Sequence, residues 1–375
     1  MKVALISSRF SYFALHWKTL IENLDSQGHE IIFISKIDIN LENLNKKNNH
    51  KIIDIDIDRS SLGLIPVLRE MYRLNKIIKN VQPDIIHSFY LKPSFISLYA
   101  SVVANKNSRF FFHITGLGYL GNSKNLKSKI SFFLTKFIFS FSFFLKLNNK
   151  IIVETLFLKS YISKNFYISI KKIYIINGVG IDTDYFLPSN KQKDNNIRFL
   201  MVSRLLKDKG VMEFHEASKF IIAQNPNIEF SLIGDLDMGN PLSISIKDLS
   251  EIKNGPIKFL GKQKYLVDHY KNYNVFVLPS YHEGLSVSSM EAGSSGLCLL
   301  LSDIPGCREL VIQGKNGFTF QPRSSKALIE AMNKVIINRE EISVYGEESR
   351  EIIKKNHSKK IIISQLNTLY SEKIL

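Results

Sequence analysis

VFVLPSYHEGLSVSSMEAGSSGLCLLLS, residues 275–302, holds two apolar runs separated by a polar stretch rich in glycine and serine. Neither run shows polar alternation and each is too short for a helix, the pattern of parallel strands covered on both faces. Pro279 and Gly284 stop the first run, and Ser288 followed three residues later by Glu291 matches a capping box. The stretch therefore reads as strand, loop, helix, strand. Backbone N–H groups from Gly284 through Leu285 and Ser286 to Ser288 would lie at a helix N-terminus, where negative charge is favoured. Glu283 stands in the loop and Glu291 in the first helical turn. Were the segment helical throughout, they would lie roughly 12 Å apart.

The same alternation extends in both directions. IRFLMVS (197–203), EFSLIG (229–234) and IKFLG (257–261) precede this stretch, with helical patterns between them. KVALIS (2–7), EIIFIS (30–35), KIIDIDI (51–57), DIIHSF (84–89) and RFFFHI (109–114) form an earlier series. Between the two series, PSNKQKDNN reads as a linker. Strands alternating with helices predict parallel sheets, and 375 residues suit two domains. The predicted fold class is α/β, with two doubly wound domains over 1–190 and 191–357. A terminal helix, 358–375, is expected to pack back on the first domain.

Composition narrows the function. Apolar residues make up 45% and charged residues 22%, which describes a globular chain and excludes a disordered one. MKVALISSRF leads into a strand pattern without the features of a secretory signal. Cys298 and Cys307 show no metal-ligand spacing and read as reduced thiols. The net charge of +16 is uneven: ten lysines and one acid, Glu154, fall between Gly121 and Lys172.

In doubly wound sheets, ligands bind beyond the carboxyl ends of the strands. SRLLKDKG, following the strand at 197–203, supplies Arg204 and Lys209 just before a helix. Two cations beside a helix N-terminus suit a diphosphate. Asp235 and Asp237 have the spacing of a metal-binding pair but follow a different strand. No metal site is expected, so the two cations and the helix would do the work of a divalent ion. A nucleotide sugar would span Glu283 and Glu291, its sugar at one carboxylate and its ribose at the other.

SRLLKDKG, VLPSYHEGLSVSSMEAGSSG and SDIPGCRELVIQGKNGF together resemble the second domain of the retaining glycosyltransferases of family 4. The resemblance is detailed over residues 195–335 and looser in the first half. It implies the GT-B architecture, two Rossmann-like domains with an interdomain cleft. It also implies roles. Arg204 and Lys209 would hold the donor diphosphate, Glu283 the sugar hydroxyls and Glu291 the ribose, while Gly284, Leu285 and Ser286 would line the nucleotide site. In HITGLG (113–118), His113 matches a histidine that faces the donor sugar. The donor expected is UDP-linked and no other cofactor is implied. Two departures stand out. Ser286 replaces a common proline, and SSRFSYFALHW replaces a glycine-rich loop after the first strand, leaving Ser8 and Arg9 as candidates there.

KSKISFFLTKFIFSFSFFLKLNNK (127–150) carries seven phenylalanines with lysines at both ends. Lys136 interrupts an apolar part that is short for a membrane span, which needs about 20 residues. A buried helix is one reading, and a helix lying on an anionic membrane surface is the other. The expected enzyme is a peripheral protein of the cytoplasmic membrane face. It would extend a polyprenyl-diphosphate-linked sugar in surface polysaccharide, lipopolysaccharide, capsule or glycan assembly. A soluble-acceptor transferase or a nucleotide-sugar epimerase is the alternative within the fold. A nucleic-acid-binding protein would explain the charge but not Glu283 with Glu291, so no nucleic-acid partner is expected.

Overall fold

The computed structural model describes residues 1–39, 50–57, 64–103, 108–116, 149–189 and 196–372, together with 136, 137, 139–141 and 143. The chain divides into two compact units, Met1–Val179 with Ile362–Leu375, and Gly180–Ile361.

The first unit carries β1 (Lys2–Arg9), β2 (Glu30–Lys36), β3 (Lys51–Asp54), β4 (Ile85–Phe89), β5 (Arg109–Ile114), β6 (Asn149–Val153) and β7 (Ile173–Ile175). They form a parallel sheet in the order β3-β2-β1-β4-β5-β6-β7. The second unit carries β8 (Arg198–Val202), β9 (Glu229–Ile233), β10 (Ile257–Gly261), β11 (Val275–Leu278), β12 (Cys298–Ser302) and β13 (Gly317–Phe320). Its parallel order is β10-β9-β8-β11-β12-β13. Both are doubly wound Rossmann-like sheets. Their continuous apolar runs follow from burial on both faces: the four residues of β11 and the five of β12 are all buried.

Three strands escaped the sequence reading. The segments at β6, β7 and β13 are short or mixed in polarity, and β3 ends at Asp54, so KIIDIDI is a strand only in its first half. The polar stretch at 190–195 lies outside the described residues. The helix Lys359–Ser371 buries Ile362, Leu366, Leu369 and Tyr370 in one cluster with Val3, Leu5, Phe111 and Ile152.

Strand order decides what meets what in the second unit. β8 and β11 are far apart in sequence but are neighbours in the sheet. Their carboxyl ends therefore open side by side at the switch point, where the winding reverses and crossover helices leave in opposite directions. Gly210, directly after Lys209, makes this close approach possible. It adopts φ 73°, and a Cβ there would lie 2.2 Å from the carbonyl oxygen of Pro279, at the end of β11.

Candidate active site

The loop after β8 delivers both expected cations. Lys209 closes a short 3-10 turn, Lys207–Lys209, ahead of the helix Val211–Gln224. Its Nζ donates to Glu283 Oε1 at 2.6 Å, and the two side chains are 16% and 12% exposed. Ser280 Oγ donates to the same carboxyl oxygen at 2.7 Å. The residue expected at the diphosphate and the residue expected at the sugar thus form a single ion pair. Arg204 is 61% exposed, and its Nη1 lies 2.9 Å from Asp237 Oδ2. Asp237, which follows β9, is therefore the partner of a site cation.

The helix begins two residues earlier than the capping-box pattern predicted. It spans Val287–Ser294, with Ser286 as N-cap: Ser289 N–H donates to Ser286 Oγ at 3.2 Å. Glu291 is the fifth helical residue and not a capping partner, which corrects the Ser288–Glu291 assignment. The chain from Glu283 to Ser286 is not helical, so the helical spacing between the glutamates does not apply. The side chains of Leu285 and Ser286 are buried, Leu285 in the hydrophobic core and Ser286 as the cap. What Gly284, Leu285 and Ser286 can offer a ligand is backbone. Gly306 sets their position, since a Cβ at that residue would lie 1.6 Å from the carbonyl oxygen of Gly284.

Glu291 turns inward beside a residue that the sequence reading missed. Tyr270 donates its hydroxyl to Glu291 Oε2 at 3.0 Å and also lies 3.2 Å from the carbonyl oxygen of Ser288. Burial lifts the Glu291 carboxyl from its ordinary 4.5 to about 7, against a smaller opposing effect of the Tyr270 bond. Below about 4.5 the group is neutral in both folded and unfolded chains. As pH rises from there through about 7, the unfolded chain ionises first and the folded state loses stability. The ceiling on that loss is about 3 kcal/mol, reduced by the residual exposure of Glu291. Glu291→Gln is expected to flatten this decline in denaturant unfolding measured at pH 5 and pH 8. Equal declines in the two proteins would refute the buried-carboxyl assignment.

In the first unit, His113 is the penultimate residue of β5 and is not an open strand-end residue. Its ring is 0% exposed, packed edge-on to Trp17 at 5.4 Å. Burial depresses its pKa to about 3, so the imidazole is neutral at ordinary pH and can serve only as a hydrogen-bond donor or acceptor. Leu117 and Gly118 of the HITGLG motif lie outside the described residues. Ser8 is buried at the end of β1, whereas Arg9 is exposed and lies 3.9 Å from Asp38.

The two thiols, Cys298 and Cys307, are buried and free. Among the described residues, no group of three or more His, Cys, Asp or Glu is placed to hold a metal ion. A cavity of about 800 Å3, lined in part by Arg198, Glu229, Asn274 and Arg350, opens at the amino ends of the second sheet. It lies at the wrong edge for strand-end chemistry.

Both halves of the chain match known proteins. Residues 183–360 match the family described as Glycosyl transferases group 1, and residues 2–153 match Glycosyl transferase 4-like. The chain is 28% identical over 305 residues to the N,N'-diacetylbacillosaminyl-diphospho-undecaprenol alpha-1,3-N-acetylgalactosaminyltransferase of Campylobacter jejuni, covering 76% of each chain. It is 27% identical over 289 residues to the UDP-Gal:alpha-D-GlcNAc-diphosphoundecaprenol alpha-1,3-galactosyltransferase of Escherichia coli, covering 73% of this chain and 72% of that one. Among solved structures, Anabaena HepE in complex with UDP and glucose matches with a TM-score of 0.76 at 18% identity, over 99% of this chain and 100% of that one. The chain belongs to the GT-B glycosyltransferases, with a glycosyl transferase 4-like first domain and a glycosyl transferases group 1 second domain.

Proposed function

We propose that this glycosyltransferase moves a sugar from a UDP-linked donor, with retention of configuration, onto a polyprenyl-diphosphate-linked sugar at the cytoplasmic membrane face, in surface polysaccharide or glycan assembly. The observation that carries the donor half is the convergence of Arg204, Lys209 and Glu283 at the β8/β11 switch point. In transfer, the departing diphosphate gains negative charge while the sugar becomes oxocarbenium-like. Fixed cations stabilise the first change without reorganisation, and no divalent ion is needed. Glu283 receives sugar hydroxyls, Glu291 receives the ribose, and His113 serves the sugar from the end of β5. Activity is expected to survive EDTA.

The acceptor half rests on the named substrates of the two relatives and on the surface of the first unit. Lys136, Phe137, Phe139–Phe141, Phe143, Asn149 and Lys150 are the described part of the basic aromatic segment; residues 127–135 and Phe144 are among those that lie outside the described residues. Phe139 and Phe143 are buried, packed against Phe112. Phe137 and Phe141 are 62% and 52% exposed, with rings stacked at 6.4 Å. The buried-helix and surface-helix readings each account for one face. A second apolar surface lies on the helix Leu64–Val81, where Ile65, Leu68 and Tyr72 are exposed beside Arg69, Arg73 and Lys76. No helix among the described residues is long and apolar enough to cross a membrane.

Such a surface favours peripheral binding, with each basic residue near anionic lipid adding about 1 kcal/mol. Binding to vesicles is expected to rise with anionic lipid and to fall with salt, since screening acts over about 10 Å at 0.1 M. Phe137→Ser with Phe141→Ser should release the protein from vesicles with its circular dichroism unchanged, whereas Phe139→Ser should unfold it. Transfer should be much faster to a lipid-linked sugar in vesicles than to the same sugar free in solution. Equal rates, with no vesicle binding by the wild type, would favour a soluble acceptor.

A further inference from the structure

A polar chain crosses the otherwise apolar core of the first unit. The Tyr370 hydroxyl lies 2.5 Å from His87 Nδ1, and His87 Nε2 lies 3.3 Å from His113 Nδ1. The remaining His113 nitrogen, Nε2, has no hydrogen-bond partner among the described residues, and Glu154 Oε1 faces it at 4.0 Å. Both imidazoles are 0% exposed and Tyr370 is 4% exposed, enclosed by Phe89, Phe111 and Trp17. Burial pulls the pKa of both histidines down, with the neighbouring His113 adding to the effect on His87, and pushes that of Tyr370 up. All three groups are therefore neutral at ordinary pH.

A neutral imidazole carries one proton, so this chain has two consistent directions. In the first, Tyr370 donates to His87 Nδ1, His87 Nε2–H donates to His113 Nδ1, and His113 keeps its proton on Nε2. In the second, every bond is reversed and His113 Nε2 carries a lone pair. The two ends of the chain decide between them. Reversal strands the Tyr370 hydroxyl proton in an apolar core, because His87 Nδ1 is its hydrogen-bond partner among the described residues. Reversal also sets a nitrogen lone pair against the Glu154 carboxyl oxygen. The forward direction satisfies the hydroxyl and turns an N–H toward that oxygen.

We propose that Tyr370 and His87 are positioning residues that hold His113 as its Nε2–H tautomer, making its unpartnered nitrogen a hydrogen-bond donor to a neutral oxygen of the donor sugar. The sugar as recipient rests on the role given to His113 above; the tautomer does not. Tyr370 comes from the last helix of the chain, which thereby sets the chemistry of a residue on β5.

The test is the histidine tautomer, read from multiple-bond proton–nitrogen spectra of the full-length protein labelled with nitrogen-15. In the wild type, His113 should show a protonated Nε2 and an unprotonated Nδ1. In Tyr370→Phe the two signals should converge toward a mixture of tautomers. His87→Gln, whose amide can still donate toward His113, should keep the wild-type pattern. Transfer by Tyr370→Phe should fall about 10-fold, as for loss of one ordinary hydrogen bond, with UDP affinity unchanged. A wild-type His113 protonated on Nδ1 overturns the proposal even if the variants do not fold. An unchanged His113 spectrum in folded Tyr370→Phe also overturns it. A changed tautomer with undiminished transfer would uphold the relay and remove only the sugar contact.

Discussion

Lys209→Ala is expected to lower transfer by at least about 100-fold, the size of losing one preorganised contact to developing charge. The geometry separates this effect from simple unfolding. Lys209 is paired with Glu283 at 2.6 Å in a largely enclosed setting, so its removal leaves a carboxylate whose remaining hydrogen-bond partner among the described residues is Ser280. Some stability should be lost along with turnover. Arg204 provides the control. At 61% exposure its pair with Asp237 is worth little to folding, yet its charge is just as available to a diphosphate. Arg204→Ala should therefore weaken UDP binding and transfer while leaving the melting temperature nearly unchanged. Near-normal turnover in either variant would remove the diphosphate role.

Glu283→Gln should separate sugar chemistry from nucleotide binding, with opposite consequences for the two. In the ligand-free protein the Glu283 carboxylate neutralises Lys209. The amide leaves Lys209 unpaired and free for the diphosphate, so UDP affinity should hold or rise. Transfer should fall about 10- to 100-fold, because a charged acceptor for the sugar hydroxyls becomes a neutral one. Calorimetry with UDP, set beside turnover with the nucleotide sugar, measures both. Parallel losses in the two would show that Glu283 serves the nucleotide and not the sugar.

Much of this was legible in local patterns. Short, uniformly apolar runs such as VFVL and LCLLL fit strands buried on both faces, and their alternation with helical segments points to parallel, doubly wound sheets. Arg204, Lys209 and Glu283 could be picked out because each lies in the loop after such a run, at the strand end where ligands bind, and Glu291 because it lies in the helix that leaves the same loop. Elements without a strong period were not legible. Four-residue β13 and three-residue β7 are strands because a neighbouring edge was free to pair with them. The helix start at Val287 was misplaced because two serines offered caps, and only packing chose Ser286.

The sequence by itself determined the architecture, the loops that carry the site and the charge of its residues, since these depend on periodicity and residue type within a short window. Only the tertiary structure decided the pairings: Lys209 with Glu283, Arg204 with Asp237, Glu291 with Tyr270, and His113 with His87 and Tyr370. The partners lie between 21 and 283 positions apart along the chain. No local pattern spans such distances. Strand order and burial bring these groups together, and burial then sets which of them are charged.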